Sequence, residues 1–149
     1  MTQVQDRFPY IFRDSDTLPT LYPAIMEARI FDGPFEVEGC IVVPFGQDHG
    51  ICRSTGFRFG SFAYSTDVVN LGEDAFEALD GVEIWIVDCL RERPHPTHAH
   101  LEKTLSWIER VGTRRAIITH MNHQIEHEKA SKELPEYVEI AYDGLQVAL

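Results

Sequence analysis

Cysteine is scarce in this chain of 149 residues: Cys40, Cys52 and Cys89 are scattered and form no Cys-x-x-Cys pair. An odd, dispersed set excludes a disulfide framework, argues against a thiolate zinc site, and fits a reducing cytoplasm. Long apolar runs are lacking, so nothing reaches the length of a membrane span. The first residues, MTQVQDRFPYIF, lack the basic start and apolar stretch of a secretory signal. Basic residues are also few: 13 Lys and Arg stand against 24 Asp and Glu, a formal net charge of −11. That balance argues against nucleic acid as a partner, because backbone-driven binding requires a basic face. It leaves open a small phosphate-bearing substrate, since bound divalent ions reverse the local sign in a cleft. There is no internal repeat and no low-complexity linker.

What is present suits one compact domain. Residues 1–34 carry prolines at Pro9, Pro19, Pro23 and Pro34 and read as an irregular connecting arm packing on a neighbour. Beyond it the pattern becomes regular. FEVEGCIVVPF reads as one half-buried strand, and GFRFGSFAYSTD as a hairpin about Gly60-Ser61. EDAFEAL reads as a short helix and VEIWIVDCL as a buried strand. LEKTLSWIERVG places Leu101, Leu105, Ile108 and Val111 on one helical face, with Gly112 at the C-terminal cap position. RRAIITH is a further strand, and QIEHEKASKEL a polar helix. VEIAYDGLQV reads as two strands about Asp143-Gly144. Alternating strands and helices predict an α/β layered fold with a mixed sheet.

Four polar residues fall at predicted strand ends: His49, Asp67, Asp88 and His120. Residues just past strand ends line the common cleft of layered α/β folds. Each has an ordinary reading alone: a turn for His49, a helix or loop cap for Asp67 and Asp88. Four together exceed what scatter predicts. His and Asp without Cys suit a catalytic Zn²⁺, Mn²⁺ or Fe²⁺, and a carboxylate bridging two metals suits phosphoester hydrolysis. The loop RPHPTHAH adds His95, His98 and His100. Asp88 is placed to hold His98 available as a general acid, whereas His95 and His100 read as solvated loop residues. IITHMNHQIEH carries three of the seven histidines. His120 ends a buried strand and points to the cleft, His123 reads as a cleft-rim residue, and His127 as solvated. Arg53, Arg58 and Arg91 are candidates for holding substrate phosphate or ribose.

The order HG…GFRFGSFAYSTD…WIVDCLRERPHPTHAHLEKTL…AIITHMNH…AYDGL resembles the metallo-β-lactamase-fold hydrolases, most closely their cyclic phosphodiesterase branch, the phosphoribosyl 1,2-cyclic phosphate phosphodiesterases. The resemblance runs from RFPYIF to DGL. It implies the C-terminal half of an αββα sandwich, a mixed sheet with helices on its outer face. It also implies two divalent metal ions, zinc or manganese. His49 matches a ligand of one metal, Asp67 the bridging aspartate, and His120 a ligand of the second. His98 matches a non-ligand histidine beside the scissile phosphate, and Asp88 the acidic residue that orients it. His123 matches a place that often carries histidine in the family.

One family feature is missing: no segment of the 149 residues reads His-x-His-x-Asp-His. The remaining ligands fall short of the three protein ligands typical of a catalytic zinc. The resemblance therefore implies a chain that begins after that motif, inactive alone, and either a piece of a longer protein, paired with a separate N-terminal half, or a remnant. A half-sheet with an exposed edge further predicts homodimerisation or pairing with that half. Two other readings remain: a non-catalytic interaction module, and a tRNA 3′-processing endonuclease, which the −11 charge opposes.

Overall fold

The computed structural model describes residues 2–12 and 23–148. Two compact units are present, Met1–Asp32 and Gly33–Leu149. In the first, the stretch expected to be irregular begins with two short helices, α1 (Thr2–Arg7) and α2 (Pro9–Phe12). The Ile11 carbonyl accepts from the backbone N–H groups of both Ile25 and Met26. Residues 23–31 have no regular structure. Pro19 lies outside the described residues.

The second unit is built on one seven-stranded sheet. Its elements are β1 (Phe35–Val37), β2 (Cys40–Asp48), β3 (Arg53–Phe59), β4 (Phe62–Ser65), α3 (Glu73–Leu79), β5 (Ile84–Asp88), α4 (Leu101–Val111), β6 (Arg115–Thr119), α5 (His127–Glu133) and β7 (Val138–Ile140). The strands lie in the sheet in chain order, β1 to β7. Pairing is antiparallel from β1 to β4 and parallel from β4 to β7. Tight turns suffice for the antiparallel half, whereas each parallel step needs a crossover, supplied by α3, α4 and α5.

One sheet face forms the core with these helices. Phe45, Ala63, Trp85, Val87, Ala116, Ile118 and Ile140 alternate along the strands and pack with Ala75 and Leu79 of α3 and Trp107 and Ile108 of α4. From α5, Ala130 joins the same cluster. The register places Phe35, Val42, Phe59, Phe62 and Ile84 in one row on the opposite face. The Phe59 and Phe62 rings are 5.8 Å apart there. The expected α/β fold with a mixed sheet and helices on one face is therefore the observed one.

Three local expectations differ. FEVEGCIVVPF is a hairpin rather than one strand: Glu38 and Gly39 both take positive φ, +50° and +80°, and reverse the chain between β1 and β2. That left-handed pair is the geometry of a tight two-residue hairpin turn. QIEHEKASKEL is helical only from His127, because the Gln124 N–H bonds Asn122 Oδ1 in a turn and Glu126 caps the helix. YDGLQV turns, with the Leu145 N–H bonding the Tyr142 carbonyl, but residues 145–148 form no strand. A turn dipeptide is local, whereas a strand needs a partner.

Ile108 is 1% exposed at the centre of the helix–sheet interface. Ile108→Ala is expected to lower unfolding free energy by about 2–5 kcal/mol, read from urea denaturation.

Candidate metal centre

The site lies along one end of the sheet. His49 follows β2, Asp67 follows β4, His98 lies in the loop between β5 and α4, and His120 follows β6. Parallel strands of matched register end together, so side chains distant in sequence meet there. His49 Nε2 and His120 Nε2 each lie 3.8 Å from the same oxygen, Asp67 Oδ1. The His98 ring stacks on His120 at 4.8 Å and meets His49 edge-on at 4.7 Å. All four strand-end residues read from the sequence are thus brought together, with His98 between them.

Local structure fixes each group. His49 Nδ1 donates to the Thr97 carbonyl at 2.7 Å, which leaves Nε2 as the free lone pair facing Asp67. Gly50 permits this approach: a Cβ there would lie 2.4 Å from the Pro96 carbonyl oxygen. Asp67 and His120 have φ of +56° and +67°, in the left-handed region uncommon for residues other than glycine. Of three such residues among those described, two are therefore at the site.

Asp88 is fully buried. Its Oδ2 accepts from the Val68 N–H and lies 2.9 Å from His98 Nδ1, so the imidazole is the second donor and its Nε2 is left free. Thr104 of α4 donates its hydroxyl to the Asp88 carbonyl. Burial pushes the Asp88 carboxyl above its ordinary range, outweighing the hydrogen bonds from Val68 and His98. Burial likewise pushes the neighbouring Cys89 thiol up to about 12, so it stays protonated. His95 is lowered, first by desolvation and then by the positive charges of Arg91 and His98.

The donor set fits a divalent metal. Ligand atoms of His49, Asp67 and His98 lie within 4.8 Å of one another. Two imidazole nitrogens and a carboxylate match the nitrogen and oxygen preferences of a catalytic ion. The resemblance placed His98 outside the ligands; by distance it lies within ligand reach, while His120 Nε2 lies 3.8 Å from Asp67 Oδ1.

The remaining candidates lie apart from this cluster. Arg58 donates to the carbonyls of Gly60, Ala78 and Asp80, so it ties β3 to the end of α3 rather than facing substrate. Arg53 lies over Gly46 in a cleft with Asp48, Asn70 and Asp74. Arg91 donates to the carbonyls of Arg93 and Pro94 and borders a separate cleft with Glu92, Arg93 and Gln124. His123 and His127 are exposed. The sequence reading missed Gln47 and Ser54, which bond the backbone beside Asp67. The available signal was a glutamine at a core-facing position of β2, two residues after Phe45.

The raised Asp88 pKa has a definite sign. The native state binds that proton more tightly than the unfolded chain, so stability falls as pH rises from about 4, the unfolded carboxyl range. Asp88→Asn removes the titration. The urea midpoint of the wild type relative to Asp88→Asn is expected to fall as pH rises above about 4; a gap independent of pH refutes this.

Comparison with known proteins agrees with the geometry. The sequence pattern described as the Beta-lactamase superfamily domain matches residues 1–121. A crystal structure of a diphosphatase of the PhnP family is 30% identical, with a TM-score of 0.85, over 98% of this chain and 54% of that one. A metallo-β-lactamase fold protein from Bacillus subtilis is 16% identical, with a TM-score of 0.66, over 94% of this chain and 59% of its own. An octanoyltransferase of Porphyromonas gingivalis is 26% identical over 151 residues, which is all of this chain and 30% of that protein. The chain thus spans between 30% and 59% of the length of these proteins. With a cluster of His and Asp side chains at one end of a mixed sheet, it belongs to the β-lactamase superfamily domain family and has the metallo-β-lactamase fold.

Proposed function

We propose that this chain supplies part of a binuclear metal site that hydrolyses a small phosphodiester, with a cyclic phosphodiester as the favoured substrate. The observation that carries this reading is the placement of two imidazole Nε2 atoms 3.8 Å from one carboxylate oxygen, beside a histidine whose other nitrogen is locked by a buried aspartate. His49, Asp67 and His120 would hold the metals, with Asp67 between them. Bound divalent ions would supply charge for the phosphoryl oxygens and a hydroxide-like nucleophile. His98 is held at Nδ1 by Asp88, which leaves Nε2 to bond a phosphoryl oxygen or protonate the leaving oxygen. Arg91 and Arg53 are proposed to reach parts of a substrate that extend into the clefts they border, and His123 to meet it from its exposed position.

Three residues cannot fill two metal coordination shells, so the remaining ligands are proposed to come from a segment carrying His-x-His-x-Asp-His. A second reading, cleavage of a diphosphate bond, is favoured by the likeness to the diphosphatase. Both reactions are attack on a phosphorus with anionic non-bridging oxygens, but one expels an alkoxide and the other a phosphate, so substrate choice separates them.

The test is metal content by mass spectrometry and hydrolysis of bis(p-nitrophenyl) phosphate and of a nucleoside diphosphate. Each is measured for the chain with and without a segment supplying His-x-His-x-Asp-His. Asp67→Ala is expected to abolish metal uptake. His98→Ala is expected to keep the metal and lower kcat by about 10²-fold or more. Loss of metal instead of rate in His98→Ala would make His98 a ligand, and full activity would end its proposed role.

A further inference from the structure

We propose that Gln47 and Ser54 form a latch that fixes the left-handed backbone of Asp67, making them positioning residues for the bridging carboxylate. This rests on the reading of Asp67 as a metal ligand.

The Asp67 carboxylate is half exposed, and the groups facing it are His49 and His120 at 3.8 Å. Its direction is therefore set by its backbone, which sits at φ +56°. That conformation is unfavourable for an L-residue, so something must hold it. Three side-chain bonds bracket the residue. Gln47 Nε2 donates to the Thr66 carbonyl at 3.0 Å, Ser54 Oγ donates to the Asp67 carbonyl at 2.7 Å, and the Val68 N–H donates to Asp88 Oδ2 at 2.9 Å. Gln47 Nε2 also donates to Ser54 Oγ at 3.1 Å. The serine lone pair is thus engaged, and its single proton is directed to Asp67.

The composition of the latch points to positioning rather than stability. Gln47 is 1% exposed, and its Oε1 meets no hydrogen-bond partner among the described residues. An orphaned buried acceptor destabilises the fold, a cost an apolar residue would avoid. Gly56 makes room for it: a Cβ there would lie 2.6 Å from Gln47 Oε1 and 2.3 Å from the Phe45 ring. The backbone register already pairs Gln47 with Ser54 across β2 and β3, so the strands do not depend on these side chains.

The test compares Ser54→Ala, Gln47→Met and Ser54→Thr with the wild-type chain by three readouts: amide exchange at Val68, Mn²⁺ affinity from paramagnetic broadening, and melting temperature. In Ser54→Ala and Gln47→Met, Val68 exchange is expected to accelerate and Mn²⁺ to bind about tenfold more weakly. Gln47→Met removes the orphaned acceptor together with the two bonds from Nε2, so its melting temperature is expected to change little. Ser54→Thr is expected to restore both exchange and affinity. Unchanged exchange overturns the latch whether or not metal binds. Faster exchange with unchanged affinity overturns the positioning role, as does an affinity loss that Ile108→Ala reproduces at equal destabilisation. If no Mn²⁺ broadening is seen even with the segment supplying His-x-His-x-Asp-His present, the metal reading itself fails, and exchange alone then decides whether Asp67 is latched.

Discussion

One buried oxygen atom, Asp88 Oδ2, organises the site. It accepts from the Val68 N–H and from His98 Nδ1, so it ties the Asp67 loop and the imidazole to the same point at the end of β5. Desolvation makes a charge there unfavourable, and the two donors offset part of that cost. The bond from Thr104 to the Asp88 carbonyl then fixes α4 against that strand end. Helix, loop and histidine are positioned together: a shift of the loop or the histidine costs Asp88 Oδ2 a donor, and a shift of α4 costs the Asp88 carbonyl one.

Strain is concentrated beside this anchor. Asp67 and His120 both hold left-handed backbone conformations where the chain leaves β4 and β6. An ordinary strand exit would carry the next side chain along the strand direction. A positive φ turns it across the sheet end instead, toward its counterpart. Strained residues of this kind persist only where surrounding structure over-determines them, and the bonds around Asp67 do so.

The sheet and its strand ends were legible in the sequence because burial imposes period two on strands and apolar continuity on central ones. VEIWIVDCL and RRAIITH could only be interior strands, and their apolar runs stop at Asp88 and His120. Convergence of His49 with them followed from the layered fold. Three features were not legible. The β1–β2 turn uses Glu38, a residue without the local side-chain bond that makes Asn or Asp common at such φ. The arginines could not be separated, because the carbonyls that engage Arg58 lie about 20 residues away in sequence. The roles of Gln47 and Ser54 depend on backbone atoms of another segment, which carry no residue-type signal.

The strands lie in the sheet in the order in which they occur in the chain. Each can therefore add to the one before it, and assembly proceeds by short steps rather than by long-range threading. The site behaves oppositely. Its four groups sit after β2, β4, β5 and β6, so it exists only once nearly every pairing is made. An ion bound there would favour the complete register over every partial one by mass action. Growth along the sheet would be local, while the ion would act as a check on its completion.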